Sequence, residues 1–128
     1  MNDSIKITDE YLDEIIDAFN RQDVDAIASY FAEDGIFRTA RGKGIEGTCL
    51  RGPAEIKEFL AKRWEEIPDL HWESAVNRRC GSRFAISEWH VKGTPPGGDK
   101  IDWLGCDIFE FDDKGKIVRK DTYWKGPV

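Results

Sequence analysis

The stretch DWLGCDIFEFDDKGKIVRKDTYWK (residues 102–125) predicts two long strands joined by a turn at residues 112–115. The glycine supplies the positive φ that such a turn needs, and apolar residues alternate on both sides of it. A four-residue loop would pair the residues of one face as Asp107 with Lys120, Gly105 with Thr122, Trp103 with Trp124, and Phe109 with Val118. Two tryptophans, a glycine gap and an acid–base pair on one face predict the wall of a pocket.

A bulged three-residue loop is the alternative for this hairpin. It would shift the pairing by one residue and place Asp107 opposite Asp121. Like charges directly opposite each other destabilise a strand pair, so the sequence favours Lys120 as the partner. Both registers stay open at this point.

Composition limits the class of protein. A chain of 128 residues with 40% hydrophobic content predicts one domain, 1–128, with a substantial core. The net charge of −6 argues against a nucleic-acid partner, and no apolar run is long enough to span a membrane. The N-terminus carries no signal-peptide pattern. Three widely spaced cysteines without a CxxC motif predict neither a disulfide nor a zinc site, and they favour a cytoplasmic location.

The N-terminal half predicts three helices. Thr8 is a candidate N-cap for a helix that ends near Arg21, and Asp23 caps a second, short helix. A third helix opens at Gly52-Pro53, has an inward stripe of Ile56, Phe59, Leu60, Arg63, Trp64 and Ile67, and stops at Pro68. Strands are predicted over 36–40, 70–79 and 83–92, and residues 41–47 predict a flexible rim loop. This order indicates an α+β fold with helices packed on one face of an antiparallel sheet.

Three segments resemble a known superfamily: AFNRQDVDAIASYFAEDGIF (18–37), RGPAEIKEFL (51–60) and GCDIFEFDDKGKIVRKDTYWK (105–125). They are similar to the nuclear transport factor 2-like proteins, in particular the SnoaL-like polyketide cyclases and the ketosteroid isomerases. The resemblance implies a cystatin-like fold, in which a curved antiparallel sheet forms a cone around three N-terminal helices and holds a pocket in its wide end. It also implies a homodimer through the convex face, where this chain has Phe84, Ile86, Leu104 and Ile108.

The same resemblance implies which residues lie on the concave face of the sheet: Phe37, Thr39, Ala85, Ser87, Trp89, Trp103, Gly105, Asp107, Lys120, Thr122 and Trp124. A flat apolar ligand could stack on the aromatic members of this set, although aromatic stripes are also common in ordinary cores. The candidate ligand contacts are Phe37, Thr39, Trp64, Trp89, Trp103, Thr122 and Trp124.

Only some of the catalytic residues known in the superfamily have a chemically matching residue in this chain. Asp107 matches the aspartic acid that stabilises the oxyanion in ketosteroid isomerases. Their general base falls at Thr39 and their oxyanion-hole tyrosine at Ile15, and an acid of the epoxide hydrolases falls near Thr122. The resemblance therefore implies neither steroid isomerisation nor epoxide hydrolysis in the known forms.

Asp107 and Lys120 are the candidate catalytic residues. A carboxylate base beside an ammonium suits removal of a proton next to a carbonyl, the step shared by isomerases, dehydratases and aldol-type cyclases, and it needs no metal or organic cofactor. The alternative is a structural ion pair inside the barrel. A non-catalytic module for a small ligand and a dimeric interaction domain with a filled pocket also stay open.

Other polar residues have weaker support. His90 has a side chain suited to acid–base chemistry, but strand alternation places it on the convex face with Phe84 and Ile86. Arg38 and Arg51 lie near the predicted rim, where they could meet a carboxylate.

Overall fold

The computed structural model describes residues 6–126 and has an α+β architecture, as predicted. Its elements are α1 (Asp9–Asn20), α2 (Val24–Ser29), β1 (Phe31–Arg38), β2 (Cys49–Arg51), α3 (Gly52–Glu66), β3 (His71–Cys80), β4 (Phe84–Gly93), β5 (Ile101–Phe111) and β6 (Ile117–Lys125). The strands form one curved sheet in the order β2-β1-β6-β5-β4-β3. The pair β1–β6 is parallel, and the other neighbours are antiparallel. No helix of the described chain is long and apolar enough to cross a membrane.

Both N-caps predicted for the first two helices are present. The Thr8 hydroxyl accepts a hydrogen bond from the Tyr11 amide at 3.1 Å, and the Asp23 carboxylate accepts one from the Ala26 amide at 3.0 Å. Each bond satisfies one of the amides that a helix start leaves without a partner. The buried residues of α1 are Leu12, Ile15, Ala18 and Phe19, and those of α3 are Gly52, Ile56, Leu60 and Trp64. Helix α3 has a proline in its first turn, as expected.

Strand β1 begins five residues earlier than the predicted strand. Phe31 pairs with Ile117 and Ile36 pairs with Arg119, so the intervening residues of β1 form an irregular bulge. A Cβ atom on Gly35 would lie 2.6 Å from the Ile117 carbonyl oxygen, so glycine allows the close approach of the two backbones. The Asp34-Gly35 pair therefore lies at a bulge within β1, whereas the sequence predicted that the strand starts after it, at residue 36.

Both predicted registers of the β5–β6 hairpin are wrong. Asp107 lies opposite Thr122 and Phe109 lies opposite Lys120. The turn occupies residues 112–116, and the Asp112 carboxylate closes it by accepting the amides of Lys114 and Lys116, each at 2.9 Å.

A bulge next to the turn produces this register. Phe111 pairs with Ile117, but Glu110 pairs with Arg119, so Val118 is an extra residue on β6. The observed pairing differs by two residues from the favoured prediction, and a shift of two keeps every side chain on its face. Asp107 and Lys120 consequently share the concave face as diagonal neighbours.

Candidate functional site

A cavity of about 80 Å³ lies between the helices and the concave face of the sheet. Helices α1 and α3 cover it, and β1, β3, β4, β5 and β6 supply its floor and walls. Its aromatic lining consists of Phe19, Phe37, Phe59, Trp64, Trp72, Trp89, Phe109 and Trp124. This lining favours an apolar guest.

Asp107 is the acceptor at the centre of a buried polar network in this lining. Its Oδ1 atom accepts the Thr122 hydroxyl at 2.7 Å and lies 3.0 Å from the Lys120 Nζ atom. Its Oδ2 atom accepts the Trp89 indole N–H at 3.0 Å. The side chains of Asp107 and Lys120 are 8% and 5% exposed, whereas every other ion pair between described residues has at least one partner that is 26% exposed or more.

Lys120 is held by polar and aromatic contacts together. Its ammonium also donates to the Thr122 hydroxyl at 2.9 Å and lies 3.8 Å from the centroid of the Phe37 ring and 5.0 Å from that of Phe19. Burial lowers the pKa of the Lys120 ammonium, and the charge of Asp107 and its hydrogen bond oppose that effect. The cation therefore depends on its buried carboxylate partner.

Gly105 makes room for the Trp89 indole. A Cβ atom on Gly105 would lie 2.6 Å from a Trp89 ring carbon and 2.5 Å from the Tyr123 carbonyl oxygen. The glycine gap seen in the sequence thus lets the Trp89 ring approach the backbone of β5 closely, and its N–H donates to Asp107. The close approach of the Trp89 ring to the backbone explains why glycine occupies position 105.

Eight of the nine residues predicted for the site line the cavity: Phe37, Thr39, Trp64, Trp89, Asp107, Lys120, Thr122 and Trp124. Trp103 does not line it, because its ring packs on Trp124 with the centroids 5.2 Å apart. The Thr39 hydroxyl donates to the Arg41 carbonyl at 2.7 Å and accepts the Thr48 amide at 3.1 Å. Thr39 therefore holds the rim loop in place. What these residues do functionally stays a prediction.

Sequence reasoning assigned no site role to several lining residues, among them Phe19, Phe59, Trp72, Arg41 and Arg63. The periodicity of α3 already placed Phe59 and Arg63 on its inward stripe, and that was the available signal. No local pattern indicates that Arg41 folds back over the cavity from the rim loop.

Two candidate carboxylate-binding arginines do not line the cavity. Arg38 forms ion pairs with Glu46 at 3.4 Å and Asp121 at 3.6 Å, and Arg51 is exposed. His90 contacts Asp102 and lines a shallow groove outside the cavity. Among residues 6–126, no three His, Cys, Asp or Glu side chains cluster as metal ligands would.

The fold is of the cystatin-like, ketosteroid isomerase-like class, and the solved structures that share it include three with high structural similarity. A candidate polyketide cyclase from Xanthomonas campestris pv. campestris is 24% identical, with a TM-score of 0.74 over 88% of this chain and 85% of that one. A cystatin-like protein of unknown function from Xanthomonas campestris is 20% identical, with a TM-score of 0.78 over 90% and 88%. A ketosteroid isomerase-like protein from Catenulispora acidiphila, solved in complex with trimethylamine, is 18% identical, with a TM-score of 0.78 over 91% and 86%.

The family follows from the sequence itself. Residues 12–120 match the family model of the SnoaL-like domain, so the chain belongs to that family. The resemblance to nuclear transport factor 2-like and SnoaL-like proteins is thereby confirmed. No curated protein sequence gives a significant match.

Proposed function

We propose that this protein binds a small, largely apolar carbonyl compound in its cavity and removes a proton next to the carbonyl group. The observation that carries the proposal is the buried Asp107–Lys120 pair in the wall of an otherwise aromatic cavity. Buried charges are costly, and a pair that lines a cavity is a candidate site for acid–base chemistry. The reaction class is that of a cofactor-independent isomerase, dehydratase or cyclase.

The contacts of the network support distinct roles for its two charged members. A carboxylate offers about four acceptor sites, and three on Asp107 are occupied, which leaves about one for a substrate proton. An ammonium has three N–H groups, and Lys120 directs two to Asp107 and Thr122. As the substrate C–H bond breaks, the proton passes to Asp107 and the electron pair moves to the carbonyl oxygen. The third N–H of Lys120 stabilises that oxygen as an enolate.

Hydrogen–deuterium exchange tests this step without knowledge of the product. Small ketones such as acetone and 3-methyl-2-butanone are incubated with the protein in D₂O, and loss of the α-proton signal is followed by NMR. We expect wild-type protein to accelerate exchange and Asp107→Asn to remove about 10²- to 10⁴-fold of that acceleration. Asp113→Asn is the control, since Asp113 lies on the same hairpin, is exposed and pairs with Arg83. Exchange at the buffer rate, or exchange that survives Asp107→Asn, would contradict the proposal.

A second candidate function is a non-catalytic binding module. This function is favoured because every polar side chain of the network already has a hydrogen-bond or ion-pair partner inside the protein. These side chains are Asp107, Lys120, Thr122 and Trp89. Ketone binding that shifts the Trp89 indole N–H signal without any exchange would select this candidate.

A homodimer through the convex face is a further proposal. Exposed apolar side chains lie on that side of the sheet: Val76, Phe84, Ile86, Leu104 and Tyr123. Leu104 is 60% exposed, and Ile108, which was predicted with it, is half-buried. Sedimentation of wild-type and Leu104→Glu protein tests the interface, and a wild-type monomer at high concentration would rule it out.

A cytoplasmic location stays a prediction. It is supported by Cys49, Cys80 and Cys106, all of which are free thiols in the fold.

A further inference from the structure

The cavity lining carries more positive than negative charges. Four of them are present, namely Arg41, Arg63, Asp107 and Lys120, and the last two neutralise each other. Two positive charges remain, and no second carboxylate lines the cavity. This local excess occurs in a chain whose net charge is −6, so it is opposite in sign to the protein as a whole.

Both arginines rest on aromatic rings. The Arg41 guanidinium lies 5.0 Å from the centroid of the Trp103 ring and 5.9 Å from that of Trp124, and the Arg63 guanidinium lies 5.2 Å from that of Phe59. Neither forms an ion pair with any residue between 6 and 126. A guanidinium that stacks through its face keeps its N–H groups available at its edge.

A third donor lies beside Arg41. The indole N–H of Trp124 is buried and has no hydrogen-bond partner within residues 6–126. A buried donor without a partner is costly, and a ligand acceptor would remove that cost. Arg41 already covers the same ring, so the donor and a cation are adjacent.

We propose that the ligand of this cavity carries a carboxylate, held at the mouth by Arg41 and Arg63, with its apolar part directed into the aromatic interior. The inference rests on the proposed function and specifies its substrate class as an apolar oxo acid. A carboxylate presents two oxygens to the fork of N–H groups on arginine, and its single charge costs less to desolvate than the double charge of a phosphate.

The size of the cavity limits the apolar part. At about 80 Å³ it is roughly half the volume of an engineered apolar cavity that accepts benzene, about 150 Å³. A branched group of a few carbon atoms fits this volume, while a phenyl ring requires the rim loop to move outward. The loop is held to β1 by the bonds of the Thr39 hydroxyl and by a backbone hydrogen bond between Thr39 and Thr48, so that movement has to break these contacts.

Matched pairs of ligands test the inference. Isobutyrate is compared with isobutyramide, and benzoate with benzamide, by titration while the indole N–H signals are followed in ¹H–¹⁵N spectra. The members of each pair share their shape and differ in charge. We expect each carboxylate to bind at least about ten-fold more tightly than its amide, because hydrogen bonds between charged groups are the stronger class.

Variants assign the preference to the two arginines. Arg41→Gln combined with Arg63→Gln should abolish the difference between carboxylate and amide. Lys62→Gln is the control, since Lys62 is exposed, adjoins Arg63 on α3 and does not line the cavity. Thermal unfolding of all variants verifies that they fold.

The possible outcomes separate the two proposals. Equal affinity for acids and amides, or a preference that survives the double variant, overturns the carboxylate inference while the cavity remains a binding site for small molecules. If none of the four compounds binds, the carboxylate inference falls, and the exchange of ketone α-protons decides the proposed function by itself.

Discussion

Replacing Lys120 with methionine tests how strongly the buried ion pair constrains this fold. Methionine keeps a flexible apolar chain of similar length, so the substitution removes the charge with little loss of packing. The Asp107 carboxylate then stays buried with two neutral donors, Trp89 and Thr122, and no cation.

The magnitude follows from the geometry of the pair. Charges 3.0 Å apart attract by about 5–6 kcal/mol at an effective dielectric constant of about 20. Removing one partner of such a pair typically costs about 3–5 kcal/mol, because the other charge is left buried. We expect Lys120→Met to lower the free energy of unfolding by that amount. Combining it with Asp107→Asn should recover most of the loss.

Urea denaturation followed by tryptophan fluorescence at pH 7 measures these free energies. Lys57→Met is the matched control: its ammonium lies 2.6 Å from Asp25, but the two side chains are 45% and 80% exposed. That surface pair should contribute less than about 1 kcal/mol. If Lys120→Met costs no more than Lys57→Met, or if the double variant is as unstable as the single one, the reasoning about the buried pair is refuted.

Two further predictions concern single positions. Gly105→Ala should destabilise the protein by about 1–3 kcal/mol in urea denaturation, since the new methyl group overlaps Trp89, whereas Gly98→Ala, whose Cβ would meet nothing nearer than 3.7 Å, should be close to neutral. If both substitutions lower the free energy of unfolding equally, Trp89 moves aside at no cost and the reasoning from close contact is wrong. The carbonyl of Asp69, and next the carboxylate of Glu73, raise the pKa of His71, so its NMR titration midpoint should lie above about 6.5. Protonated His71 therefore stabilises the folded state below about pH 6.5, and this stabilisation is lost as the pH rises through the folded-state pKa of His71. A titration midpoint below about 6.5 would contradict these contacts.

Helix starts and strand faces could be predicted from the sequence because they depend on local chemistry. Thr8 and Asp23 cap their helices through bonds to amides three residues away. The faces of β5 and β6 follow from a period of two, which an even shift of register leaves unchanged. This is why Asp107 and Lys120 could be placed together although the predicted pairing was wrong.

The details that could not be predicted depend on contacts between distant segments. The extra residue Val118 on β6 sets the hairpin register, and a bulge of this kind has no distinct sequence pattern. The early start of β1 depends on the approach of Gly35 to the Ile117 backbone, 82 positions further along the chain. Arg41 reaches the cavity through a loop whose path is tied by Thr39 and Thr48.

For the proposed reaction, the arrangement of charges also limits which substrate proton is removed. Three donors hold the Asp107 carboxylate, which leaves it about one acceptor site for a substrate proton. Proton removal is then effective only where the product charge is stabilised as well, which is the role available to Lys120. A substrate whose α-proton is already activated, by a second carbonyl or by the cation itself, needs less from the base. In the proposed substrate class, an apolar oxo acid, the carboxylate pairs with the two arginines that line the cavity and the ketone carbonyl faces Lys120. The chemistry of the buried pair and the excess positive charge of the lining therefore favour the same substrate class.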